Sequence, residues 1–221
     1  MSASLSRFQF ETACKAYIAA HTTQPSDDAS TTAVYPVGWT WNKHACVPGL
    51  GFMSRSVALS VKAVEAAEGD HELELLSDST EDEAAASESR EVLTCIQSVV
   101  YSPTFQVPAF YFTIHRSNGV PLNLSEIMAS SLLRRHAVPL SNTTTFALSE
   151  HGASFPLLSQ GDHPVLGTPA WYFHPCHTPE AVGEVVSELQ YKGGTKEQIL
   201  VRWMEVWFMV IGQIVDLHRG L

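Results

Sequence analysis

The chain predicts an α+β domain: an antiparallel meander sheet flanked by an N-terminal helix and C-terminal helices. Three observations lead there. Apolar residues recur at helical spacing at both ends, the β-branched and aromatic runs between them are joined by short turns, and no strand–helix alternation of the kind that builds parallel sheets is present. No internal repeat divides the chain, so residues 1–221 read as a single domain.

From the start, Phe10, Cys14, Tyr17 and Ile18 share one face of a helix over Leu5 to Ala20, which Ser4 or Ser6 is placed to cap. Residues 21–36 are rich in Thr, Ser, Asp and Pro and read as a loop. Trp39-Thr40-Trp41 and Phe52 to Val64 then read as a hairpin across Pro48-Gly49. Val92 to Tyr101 and Phe105 to His115, separated by Ser102-Pro103-Thr104, read as two further strands, the second ended by Ser117-Asn118-Gly119. Ser125 opens a short helix reaching Leu133, and residues 136–155 read as a polar loop. A strand leads to His174. Thr178-Pro179-Glu180 then supplies an N-cap, a first-turn proline and a first-turn acid for a helix that Gly193-Gly194 breaks. The final helix gathers Ile199, Trp203, Val206, Trp207, Val210, Ile211, Ile214 and Val215 on one broad face, where the tryptophans read as packing.

The balance of 45% hydrophobic and 16% charged residues is that of a globular domain, and the net charge of −10 is concentrated in one place. Eleven acids between Glu65 and Glu91 face the single base Arg90, which accounts for the whole excess. Few aromatics and one sign of charge mark residues 65–90 as a disordered acidic insertion. The remainder is electrically neutral, which excludes the basic face that a nucleic-acid backbone requires. Val206 to Val215 is the longest uncharged apolar stretch and is too short for a bilayer span of ~20 residues. With no basic-then-apolar leader at Met1 to Arg7, the expected location is cytoplasmic. Cys14, Cys46, Cys95 and Cys176 form no paired spacing for a disulfide framework or zinc ribbon. Cys14, Cys46 and Cys95 fall in helix or strand patterns and read as core.

Cys176 is different. It follows an apolar strand and a rigid His174-Pro175 step, at the point where the chain leaves the sheet, and this placement suits a nucleophile. The plain alternative is an inert buried thiol. A zinc site from His163, His174, Cys176 and His177, or a cysteine hydrolase pairing Cys176 with His163 or His151, has little in the spacing to support it.

The run Tyr101-Ser102-Pro103-Thr104-Phe105-Gln106-Val107-Pro108-Ala109-Phe110-Tyr111-Phe112 is followed by Asn118-Gly119-Val120-Pro121-Leu122. Together with Gln160-Gly161-Asp162-His163-Pro164-Val165-Leu166-Gly167-Thr168-Pro169 and His174-Pro175-Cys176, these segments resemble the E2-like ubiquitin-like-conjugating enzymes of autophagy. The resemblance covers residues 91–219 well and the first 64 loosely. It implies a cysteine acyltransferase without cofactor or metal. Cys176 would accept a ubiquitin-like modifier, autophagy protein twelve, from an E1-like activating enzyme as a thioester, and pass it to a lysine of the acceptor, autophagy protein five. His174 and Pro175 would support the active-site loop. Two alternatives stand beside this: the sister branch that joins autophagy protein eight to phosphatidylethanolamine, and a non-catalytic E2-like adaptor. Ubiquitin E2 enzymes carry His-Pro-Asn upstream of their cysteine, whereas here the cysteine directly follows His-Pro. The oxyanion donor is thereby left open among Tyr101, Gln106, Asn118 and Gln160.

Overall fold

The computed structural model describes residues 3–22, 36–60, 92–134, 142–149, 156–188 and 194–217; the acidic insertion at 65–90, the loop at 23–35 and His151 lie outside the described residues. Helix α1 spans Arg7–Thr22, and Ser6 caps it. The Ser6 hydroxyl accepts from the Gln9 N–H at 3.2 Å while the Gln9 side chain accepts from the Ser6 N–H at 2.8 Å, so two otherwise orphaned donors are satisfied reciprocally. Its buried stripe is Phe10, Ala13, Cys14 and Tyr17.

Strands β1 (Thr40–Lys43), β2 (Gly51–Ser60), β3 (Val92–Ser102) and β4 (Val107–His115) form an antiparallel meander. Past α2 (Leu124–Ala129), β5 (Asn142–Thr143), β6 (Ala147–Ser149), β7 (Leu158–Asp162) and β8 (Pro169–Phe173) complete one sheet in the order β1-β2-β3-β4-β8-β7-β6-β5. A second meander therefore runs back along the chain, and β8 joins the two by pairing Tyr172 with Tyr111 and Trp171 with Phe112. This confirms the α+β class with helices at both ends of the sequence.

Alternation decides which side of the sheet is covered. Met53, Val57, Cys95, Val99, Phe110, Phe112, Trp171 and Phe173 are buried in the core cluster that α1 and α4 (Lys196–Ile211) close over. Helix α4 starts at a capping box between Thr195 and Gln198, and Trp203 and Trp207 are fully buried, as the packing reading requires. The indole of Trp207 donates to the Pro108 carbonyl at 3.1 Å, tying α4 to the start of β4. Buried Arg55 donates to Gln97 Oε1, the Val37 carbonyl and the Leu217 carbonyl, so one guanidinium joins the sheet, the segment before β1 and the end of the chain after α4.

Four local readings are corrected. Residues 136–155 are not simply a loop, since β6 lies there and pairs onto β7, and β5 pairs onto β6. Helix α2 is capped by Asn123 and stops at Ala129, before Leu133, because Ser130 turns to an extended conformation. Cys46 is exposed in the β1–β2 turn rather than core. Ile214 and Val215 lie beyond α4, where Val215 bridges to Leu133 instead of extending the helical face.

Candidate active site

The β8 strand and a proline position Cys176. Leu158 pairs with Phe173, and the His174 N–H extends that ladder by donating to the Leu157 carbonyl at 3.0 Å. Pro175 then opens a 3₁₀ turn, Pro175–His177, its fixed φ and missing N–H suiting the first helical position. The Thr178 N–H bonds back to the Pro175 carbonyl, Thr178 is itself helical, and the turn runs directly into α3 (Thr178–Glu188). Thr178 is thus not the N-cap that its sequence context suggests; the helical run begins three residues earlier. Cys176 consequently stands half-buried in the first turn of a helical run rather than in a loop. The first amides of such a run have no intrahelical acceptor and face the end where negative charge is favoured.

Pro175 is buried beneath this turn. The His174 ring meets Phe105 edge-on at 5.4 Å and lies 6.4 Å from the Tyr172 ring. Burial, reinforced by neighbouring His177, holds its pKa below the ordinary imidazole value, so it is neutral at pH 7. Phe105 is a site residue that sequence reasoning missed, having read it only as the start of a strand. It lies in the β3–β4 turn beside Gln106, which adopts a left-handed φ of 55°.

The oxyanion candidates divide on this geometry. Tyr101 is buried and its hydroxyl donates to the Leu5 carbonyl at 2.9 Å, which commits it elsewhere. The Asn118 side chain accepts from the Val120 N–H within the turn after β4. Gln160 pairs with Trp171 on the ladder and lines an apolar groove with Tyr111 and His163, and Cys176 is not among the walls of that groove. Gln106 alone of the four belongs to the turn that packs on His174.

His163 is not near the thiol either. It precedes the β7–β8 turn, at the opposite end of that hairpin from His174, with the whole of β8 between them at ~3.3 Å per residue. Its Nδ1 accepts from the N–H groups of Val165 and Leu166, both at 3.2 Å, so this histidine organises a turn. The hydrolase pairing and the zinc set that include it are therefore overturned, and among the described residues no group of three or more His, Cys, Asp or Glu is placed to hold a metal ion.

Burial pushes the His163 pKa down to about 4. The unfolded chain, titrating near the ordinary value of ~6.5, then binds more protons than the folded one between those values, so His163 should erode stability as pH falls through that window. A His163→Asn variant, whose carbonyl can still accept from the turn, is expected to flatten the melting-temperature profile between about pH 6.5 and 4. Thermal denaturation across that range checks it.

Among the thiols, burial raises Cys14 well above its ordinary pKa and Cys95 to about 12, which keeps both protonated. Cys46 is accessible but sits on the β1–β2 turn, where its N–H and that of Val47 donate to His44 Nδ1. Cys176 is the accessible thiol at the start of a helical run.

Residues 9–220 match the family model described as autophagocytosis associated protein, active-site domain. Three proteins called ubiquitin-like-conjugating enzyme ATG10 are similar to the chain. The one from Arabidopsis thaliana is 29% identical over 123 residues, 56% of this chain and 49% of its own length. That from Homo sapiens is 28% identical over 138 residues, 62% of this chain and 54% of its own. That from Dictyostelium discoideum is 28% identical over 123 residues, 54% of this chain and 49% of its own. The chain spans about half the length of the curated relatives it matches.

Proposed function

Because the chain belongs to the family of autophagocytosis-associated proteins that share this active-site domain, we propose that it is an E2-like cysteine acyltransferase working through a thioester on Cys176. The half-buried thiol in the first turn of the helical run that Pro175 opens carries this reading. The names of the similar proteins, ubiquitin-like-conjugating enzymes, support it.

Two exchanges make up the reaction. The Cys176 thiolate attacks the carbonyl of the thioester by which an E1-like enzyme holds the modifier, and the E1 thiolate leaves. A lysine amine of the acceptor then attacks the new thioester, losing a proton to solvent or a nearby base as Cys176 departs as thiolate. A thioester is already activated, so sulfur serves as both nucleophile and leaving group and no strong base is required. The developing oxyanion would be met by amides at the start of the turn, which takes the place of the missing asparagine. Neutral His174 and buried Pro175 hold the loop, while binding of the acceptor orients its lysine, an effect worth about 7 kcal/mol or more. No cofactor enters this scheme.

The specific assignment is the branch that conjugates to a protein rather than to a lipid: autophagy protein twelve as modifier and a lysine of autophagy protein five as acceptor, in the cytoplasm. No helix among the described residues is long and apolar enough to cross a membrane. The test is charging. With E1, ATP and modifier the chain should form an adduct that reductant removes, and lack of any adduct excludes the enzyme reading. Parallel reactions with autophagy proteins twelve and eight separate the two branches.

A further inference from the structure

The residues before α1 are bound to both structures that flank Cys176. Leu5 is buried, its N–H donates to the Gln106 carbonyl at 2.7 Å, and its carbonyl accepts from the Tyr101 hydroxyl at 2.9 Å. The same turn closes on itself through the Gln106 N–H to the Ser102 carbonyl at 2.8 Å and presents Phe105 to His174. Gln106 is not glycine yet sits at φ 55°, a conformation that persists only where surrounding bonds over-determine it. Two residues earlier, Ala3 lies against α3. A Cβ placed on Gly183 would come within 3.0 Å of the Ala3 Cβ and 4.0 Å of its Cα. Gly183 is seven residues beyond Cys176, about two helical turns, so the contact falls on the stripe of the helical run that carries the thiol.

We propose that Ala3–Leu5 is a positioning strap that fixes the Cys176 turn by joining α3 at Gly183 to the β3–β4 turn that packs on His174. What the positioned thiol is used for rests on the acyltransferase reading; the placement itself does not. Glycine at 183 lets the strap lie directly on the helix backbone. Any side chain there must lift the strap or shift α3, and with it the turn that begins the same helical run.

Helix propensity and the strap make opposite demands at this position. Gly183→Ala should hold or raise the melting temperature, because alanine is the better helix former by up to about 1 kcal/mol. Charging by E1 should nonetheless fall up to about tenfold, since relieving the 3.0 Å contact takes only part of an ångström and a whole ångström of misplacement can cost ~100-fold. In a Cys46→Ser background, which leaves Cys176 as the accessible thiol, the rate of alkylation by iodoacetamide at fixed pH should change measurably from that of the parent as the thiol loses its place at the start of the run. The double variant Ala3→Gly with Gly183→Ala removes the colliding Cβ and should restore both readouts. Wild-type charging and alkylation in Gly183→Ala, or a deficit that Ala3→Gly does not rescue, overturns the strap. Alkylation needs no E1, so a wild-type chain that never charges would sink the acyltransferase reading while the alkylation rates still decide the strap.

Discussion

Cys176→Ala is expected to lower transfer of the modifier by at least about 10³-fold while leaving the fold intact, because it removes the atom that carries the acyl group in both exchanges. Stability should change by no more than ~0.5 kcal/mol, since the side chain is half-buried at a surface turn and the backbone there is held by Pro175 and by the His174 N–H on Leu157. Cys46 stays accessible in this variant, and Cys14 and Cys95 stay buried, so any surviving adduct would have to sit on the β1–β2 turn. Cys176→Ser refines the result. The serine oxygen forms an ester that a weakly leaving alkoxide discharges slowly, so the modifier should accumulate as an adduct that reductant does not remove. Single-turnover charging followed on reducing and non-reducing gels, with melting curves beside it, reads all of this. Retention of reductant-sensitive charging by Cys176→Ala would contradict the assignment.

Trp207→Ala is expected to be the most damaging core substitution, destabilising the domain by about 3–5 kcal/mol through lost apolar contact and the cavity left behind. The loss is compounded because the indole N–H donates to the Pro108 carbonyl, and truncation leaves that buried acceptor unpaired at a cost of about 1–3 kcal/mol. A domain of this size has only ~5–15 kcal/mol in hand, so much of the chain should unfold at 37 °C. Trp207→Phe keeps the ring against Phe208, now 4.9 Å away, and forfeits mainly the hydrogen bond, so its effect should be smaller. Urea denaturation of the two variants measures the difference, and equal losses would mean that the Pro108 bond rather than the packing dominates.

What sequence revealed and what it hid follow from the range of each interaction. Helices α1 and α4 were visible because a periodic apolar stripe is a property of ten or more neighbouring residues. The His-Pro-Cys step was visible because proline fixes its own φ whatever surrounds it. Strands β5 and β6, of two and three residues, are too short for alternation to register, and they exist because β7 offers an edge to β6 and β6 offers one to β5. The start of the helical run was misplaced because Thr178-Pro179-Glu180 carries cap chemistry as good as Pro175's, and the His174–Leu157 bond that decides between them is tertiary. Cys46 looked like core from its neighbours alone, whereas the turn that follows β1 leaves it outside. Phe105, Gln106 and the Ala3–Gly183 contact carried no local signal: a left-handed glutamine has no composition cue, and Ala3 and Gly183 meet only through tertiary packing of the segment before α1 on α3.

If the acyl group rests on Cys176 between its two carriers, a pulse–chase must catch it there. The chain is charged with labelled modifier, freed of E1 and ATP, and then mixed with the acceptor protein. Label should leave Cys176 and appear on an acceptor lysine at matching rates. If the acceptor becomes modified only while E1 and ATP remain present, with no label ever held on Cys176, the chain is an adaptor and the covalent account is wrong.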